Sequence, residues 1–319
     1  MKKLLIFIIS LALLLAGGCG GNDSTKTASD QHTIVDANNR TVVVKQPPQR
    51  IVALSPSFLE LLQAVDGNVV GRAKTQIGKV PDFAKSADEV GYIFNINVEK
   101  VVSLHPDMVI AYKGMHERYI KILESNNIPV VILNLKSYED VKDSLKILGK
   151  MMGRESKGQQ VADSLDAAIQ KTVQKLPKAQ RTVAIIHTTN MGVTLEKDTS
   201  IAGCCAKMLQ LKNIVYGATK PVAGPMGSQP DMAPYSLEDL VEKNPQVIFI
   251  TSMGSKQDIE NKLRSEVTDN PAWGAIEAVR NKQVFYLPDE LFLLNPGLRY
   301  PEAIRLMASK LYPDLVEDK

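Results

Sequence analysis

The chain has 319 residues, 44% of them hydrophobic, with 38 Lys and Arg set against 35 Asp and Glu. That length and apolar fraction suit two globular domains, and exclude a disordered chain or a single small core. The near-neutral balance carries no basic run interleaved with aromatics, so nothing points to a nucleic-acid partner, and three cysteines are too few for a disulfide framework.

Lys2 and Lys3 precede an apolar run, Leu4 to Leu15, that is too short to span a bilayer as a helix. Ala16-Gly17-Gly18 and then Cys19 follow, a pattern that resembles the bacterial lipobox apart from Ala16, which stands where a Leu is usual. Residues 1–18 are therefore read as a signal peptide and Cys19 as the acylated N-terminus of a lipoprotein, anchored outside the cytoplasm. Residues 19–31, rich in Gly, Ser, Thr, Asn and Asp, have little apolar surface to bury and form a flexible tether.

Thr33-Ile34-Val35 and Thr41 to Val44 predict a hairpin. Ile51 to Leu54 predicts a buried strand, followed by Ser55-Pro56-Ser57 and a helix from Phe58 to Val65, with Ser57 and Glu60 spaced as a capping box. Further strand-like runs lie at Val69-Val70, Met108 to Tyr112, Val130 to Leu133, Thr182 to His187, Gln246 to Thr251 and Gln283 to Leu287. Helical periods lie between most of them, which predicts an α/β fold with mostly parallel strands.

The stretch from Ser156 to Leu176 breaks this rhythm. Val161, Leu165, Ala168, Ile169, Val173 and Leu176 recur three or four apart, giving one stripe on a helix about 30 Å long. The expected organisation is an N-terminal α/β lobe over 32–152, a linking helix over 153–177 and a C-terminal α/β lobe over 178–319. Cys204 and Cys205 are neighbours, which disfavours a disulfide between them; they are read as small packed helix residues, with a metal or redox role as the alternative.

Asn97 to Ile110 and Ser236 to Phe249 align without a gap. Each reads as a cap residue, a short helix, a Pro and a buried strand, and each places a Glu, Glu99 or Glu238, in the first helical turn, where the helix dipole favours it.

These segments carry a resemblance. Asp36 to Arg40 with Pro48-x-Arg50-Ile51-Val52, Glu99 to Ile110, the long helix, Ser236 to Ile248 and Asn270-Pro271-Ala272-Trp273 stand in the order and spacing of the solute-binding proteins that serve ABC importers of iron–siderophore complexes, haem and cobalamin. The resemblance implies two Rossmann-like lobes joined by one long helix, a ligand cleft between them, and no enzymatic activity. It also implies a permease partner met by Glu99 and Glu238, with an ATPase behind it, and a monomeric chain.

Ligands in open α/β lobes bind beyond the carboxyl ends of the strands. That rule selects Ser57, Tyr92, Tyr112, Met115, His116, His187, Met191, Tyr235 and Phe292 as ligand-contact candidates. Tyr92, His116 and His187 are candidate axial ligands to a bound metal complex. Val90-Gly91-Tyr92 looks like haem-binding members of the family, whereas Tyr112-Lys113-Gly114 with Glu117-Arg118 looks like cobalamin-binding ones. Arg72 and Arg118 are candidates for acidic groups on the ligand, while His32 and His105 read as structural or solvent-facing. No cofactor is expected to be held permanently; the transported ligand is expected to be an iron or cobalt complex. Four scattered His disfavour a site for a bare metal ion. The competing reading is an extracytoplasmic reductase or chelatase on the same scaffold, although the chain shows no nucleophile elbow, zinc-protease motif or phosphate loop.

Overall fold

The computed structural model describes residues 31–316, apart from 46, 76–77, 179, 220–221 and 225–226. Cys19 and the leader before it lie outside the described residues, as does the tether up to Asp30; Gln31, expected at its end, instead begins the first strand.

Strands β1 (Gln31–Val35) and β2 (Thr41–Lys45) pair as an antiparallel hairpin. Asp36 closes its turn by accepting backbone N–H bonds from Asn38 and Arg40. The same carboxylate accepts the Ile132 N–H at 3.2 Å, which pins the hairpin to the first sheet.

That sheet is built from β3 (Ile51–Ala53), β4 (Val69–Arg72) and β5 (Asp88–Glu89), then, after a small hairpin of β6 (Gly91–Tyr92) and β7 (Asn95–Ile96), from β8 (Met108–Tyr112) and β9 (Val130–Leu133). Its order is β5-β4-β3-β8-β9 and every pairing is parallel. Helices α1 (Leu59–Ala64), α2 (Val98–Ser103) and α3 (Glu117–Ser125) connect the strands. The sheet is covered on both faces: Met108 and Ile110 belong to one hydrophobic cluster, Val109 and Ala111 to another. This is why its strands read as continuous apolar runs.

The capping box expected at Ser57 does not form. Ser55 caps the entry instead, its Oγ accepting the Ser57 N–H at 3.3 Å, because Pro56 starts a 3-10 turn that delays the α-helix to Leu59.

Two helices follow, α4 (Tyr138–Met151) and α5 (Glu155–Val173). The second is the long helix read from the sequence. It stops at Val173 because Pro177 disfavours helical backbone at Leu176 and the chain has already begun to turn. The two helices pack backbone to backbone: a Cβ placed on Gly158 would lie 2.5 Å from the carbonyl oxygen of Leu145.

The second sheet comprises β10 (Thr182–Thr189), β11 (Gly192–Glu196), β12 (Lys212–Asn213), β15 (Met232–Pro234), β16 (Val247–Met253) and β17 (Val284–Tyr286), with a separate hairpin of β13 (Val222–Gly224) and β14 (Gly227–Gln229). The main order is β15-β11-β10-β16-β17. β12, β16 and β17 join in parallel, whereas β11 runs antiparallel to both β10 and β15. The helices here are α6 (Ile201–Met208), α7 (Leu237–Lys243), α8 (Lys256–Leu263), α9 (Glu277–Arg280), α10 (Asp289–Phe292) and α11 (Tyr300–Leu311).

One hydrophobic cluster runs through both halves. It takes Met108 and Ile110 from the first sheet, Val183, Ile185, Val247 and Phe249 from the second, and Leu145, Leu165, Ile169, Tyr300 and Met307 from α4, α5 and α11. The link is therefore a block of packed helices against which both sheets lie. No helix among the described residues is long and apolar enough to cross a membrane.

Candidate ligand-binding cleft

Two of the cavities beyond the carboxyl ends of the strands carry residues expected from the sequence. The smaller, about 90 Å³, is walled by Ser57 and Glu60 after β3, Thr75 and Lys79 after β4, and Glu290 and Arg299 after β17, so both halves contribute to it. The larger, about 450 Å³, lies at the ends of β10 and β16 and is walled by His187, Thr189, Met191, Val193, Thr194 and Met253. Small-molecule sites occupy roughly 300–1,000 Å³, so of these two the second can take a substantial part of a bulky guest; a further cavity of about 650 Å³, walled by Asn134 and Lys136 after β9 and by Asp198, Lys207 and Asp231, spans the two halves. Thr75 Oγ1 and Thr194 Oγ1, on the walls of the first and second of these cavities, are buried without a hydrogen-bond partner.

His187 is held from behind. Its Nδ1 lies 2.9 Å from Thr251 Oγ1 and 3.5 Å from Glu196 Oε1, and the Thr251 hydroxyl donates a very short hydrogen bond to the same carboxylate oxygen. Glu196 and Thr251 are buried. Met191 and Met253, exposed beside His187, complete an apolar wall with soft sulfur atoms.

Two cationic side chains at the seam between the halves, Arg299 and Lys136, are already engaged. Arg299 pairs with Glu302 at 2.7 Å and with Glu290 at 3.5 Å. Lys136 bridges the halves to Asp231 at 3.6 Å. Burial holds the Glu60 carboxyl above its usual range, against the opposing pull of Arg299. Among the described residues no group of three His, Cys, Asp or Glu could hold a metal ion by itself.

Several sequence candidates occupy other places. His116 is fully buried; its Nδ1 accepts the Tyr112 N–H at 2.9 Å and its Nε2 bonds the Ile93 carbonyl at 2.7 Å. Both ring nitrogens are spent on the fold, so the expected axial-ligand role of His116 is corrected to a structural one. Phe292 is 4% exposed within the shared core, and its expected ligand contact is likewise corrected. Tyr235 packs against the second half's own core, its hydroxyl buried without a partner, and burial pushes that phenol up to about 12; it lies off both cavity walls. Tyr112 packs against the shared core beside Phe58, with ring centroids 5.8 Å apart, and burial holds its phenol well above the usual range. Arg72 is buried, bonding the Ala84 carbonyl and Glu89, while Arg118 reaches the Phe94 carbonyl and Tyr119 hydroxyl. For Arg72 these partners replace the acidic ligand groups expected; Arg118 stays exposed, bonded through one guanidinium nitrogen, and lies off both cavity walls.

Tyr92 is 43% exposed on the β6–β7 hairpin, with Lys74 Nζ 5.4 Å from its ring centre. Met115 is half-buried on the loop after β8. Neither lines the two cavities, whereas Ser57, His187 and Met191 do. Sequence reasoning missed Glu196, Thr251 and Met253. The signal available was a turn at Asn190-Met191 followed by alternation over Val193 and Leu195, which marks a strand folding back on β10 and carries Glu196 at its end.

Cys205 is buried and Cys204 half-buried on α6, neither in a disulfide, and burial pushes both thiols up, away from the thiolate form that binds metals. Glu99 and Glu238 are exposed in the first turns of α2 and α7, capped by Asn97 and Ser236. These helices feed β8 and β16, which neighbour β3 and β10 in their respective sheets, so the two acids hold equivalent positions on the two halves.

The chain is similar over nearly its whole length to an uncharacterized ABC transporter substrate-binding lipoprotein, YvrC, of Bacillus subtilis (strain 168), at 26% identity over 97% of this chain and 96% of that protein. It is 26% identical to the Fe(3+)-citrate-binding protein YfmC of the same organism, covering 92% of each. Its fold matches the crystal structure of Staphylococcus aureus IsdE complexed with heme, with TM-score 0.69 and 20% identity over 82% of this chain and 98% of that one. Residues 51–291, three-quarters of the chain, match the family model described as periplasmic binding protein. The chain belongs to the periplasmic binding protein family.

Proposed function

We propose that this protein is the capture subunit of an ABC importer, a lipoprotein anchored through Cys19 on the outer side of a membrane, which binds a bulky iron or cobalt complex between its halves and presents it to the permease. The observation that carries this is the large apolar cavity of the second half, faced by His187, together with the cavities beyond the carboxyl edges of the sheets that both halves wall. Relatives named for ABC-transporter substrate binding, for Fe(3+)-citrate and for haem support the class of cargo. Glu99 and Glu238 would meet permease arginines, giving orientation and speed of docking.

The lining favours one kind of guest. A trisanionic ferric catecholate calls for several free cations, yet Arg299 and Lys136 are paired with carboxylates and Lys79 alone remains on the smaller cavity wall. An apolar wall with an imidazole and two thioethers suits a metal macrocycle, a haem or a corrinoid. The test is titration of the purified protein with haemin, aquocobalamin and a ferric tris-catecholate, read by visible absorbance. Saturable binding of a macrocycle and none of the catecholate is expected; the reverse order would overturn the choice of guest, and no binding of any of the three would overturn the class of cargo.

A further inference from the structure

Glu196, at the end of β11, is 3% exposed. Its side-chain partners among the described residues are Thr251 and His187. A buried carboxylate is costly unless opposite charge or a full set of donors surrounds it, and one hydroxyl with one imidazole falls short. The geometry also fixes protons. Thr251 has a single hydroxyl proton, directed to Glu196. Its oxygen is then an acceptor for His187 Nδ1, 2.9 Å away, with the carboxylate as a second acceptor at 3.5 Å. Nδ1 therefore carries the N–H, and Nε2 keeps its lone pair. The ring is 12% exposed, and His187 stands on the wall of the apolar cavity of the second half.

A carboxylate that fixes the tautomer of an imidazole and leaves the other nitrogen bare is how proteins prepare a histidine for a metal. We propose that Nε2 of His187 bonds directly to the metal of the guest, with Thr251 and Glu196 as positioning residues and Glu196 balancing part of the metal's charge. This rests on reading the cleft as a metal-complex site, and it narrows that reading. The guest must keep one exchangeable axial position, as ferric haem and aquocorrinoids do and a hexadentate ferric siderophore does not. In the step, a water leaves the metal as the nitrogen–metal bond forms; no electron moves and the imidazole stays neutral.

The experiment titrates haemin and aquocobalamin separately into the wild-type protein and its variants. Quenching of Trp273, the chain's one tryptophan, reports binding, and visible absorbance reports axial exchange. With at least one complex, wild type should bind and show the nitrogen-ligated spectrum. His187→Ala should lose that spectrum and bind at least about 10-fold more weakly, with added imidazole restoring the spectrum. Glu196→Gln and Thr251→Val should keep the cavity but weaken binding by about 10- to 100-fold. His187→Gln, checked for folding by circular dichroism, repeats the test if the alanine variant unfolds. A His187 variant with wild-type spectrum and affinity overturns the proposal while leaving the macrocycle reading standing; wild type binding neither complex overturns both.

Discussion

His116 and His187 sit near strand ends in the two halves, and their surroundings set opposite roles. His116 gives both nitrogens to the protein and joins the loop after β8 to the β6–β7 hairpin through the Ile93 carbonyl. Removing it leaves the Tyr112 N–H and the Ile93 carbonyl buried and unmatched, so His116→Ala should lower the unfolding free energy by about 3 kcal/mol, measured by urea titration. Burial holds its imidazole below the ordinary 6.5. As pH falls through that ordinary value, the unfolded chain takes up a proton that the folded chain refuses. Stability should then decline with acidification until the lower folded value is passed, and level off below it. His116→Asn should show a shallower decline; an unchanged slope would mean that another group governs it.

At the scale of elements, α4 and α5 are held by the absence of side chains. Gly149 and Gly158 let the helices touch, with Gly158 against the backbone of Leu145. Gly158→Ala should force the pair apart and cost about 1–3 kcal/mol in thermal or urea unfolding, despite alanine's better helix propensity. A neutral or stabilising result would mean that the helices can part freely. The parallel strands, the long helix and the paired capped helices were legible in the sequence because their signals are local: apolar runs, 3.6-residue periodicity and cap residues. The β11 and β15 edge was not legible, because its strands are short and mixed in polarity and take their burial from β10. Glu196 went unseen with it. The Ser55 cap was missed because Pro56 shifts the helix start, and the fate of His116 was missed because its acceptor lies 23 residues away in sequence. Of the site, His187 and Met191 could be placed from strand ends alone, whereas Glu196 and Thr251 meet only through the register of β10 with β11 and β16.

Across the whole molecule, the two sheets share one core through α4, α5 and α11, and the Asn295 side chain donates to the Leu135 carbonyl across the two halves. Such a block resists large hinge motion, because packed interiors do not deform continuously. Glu99 and Glu238 then keep nearly fixed separation, as the proposed two-point contact with a permease requires. The double variant Glu99→Ala/Glu238→Ala should retain ligand affinity and lose uptake by cells; loss of affinity in that variant would mean that the two acids serve the cleft and not the permease.

The stiffness of that shared block has an outcome for traffic at the membrane. A carrier whose outline barely alters on loading offers the transporter little to tell full copies from vacant ones. Vacant copies would queue at the same berth, so import should slow once carriers outnumber cargo, and copies lacking Glu99 and Glu238 should cause no such congestion.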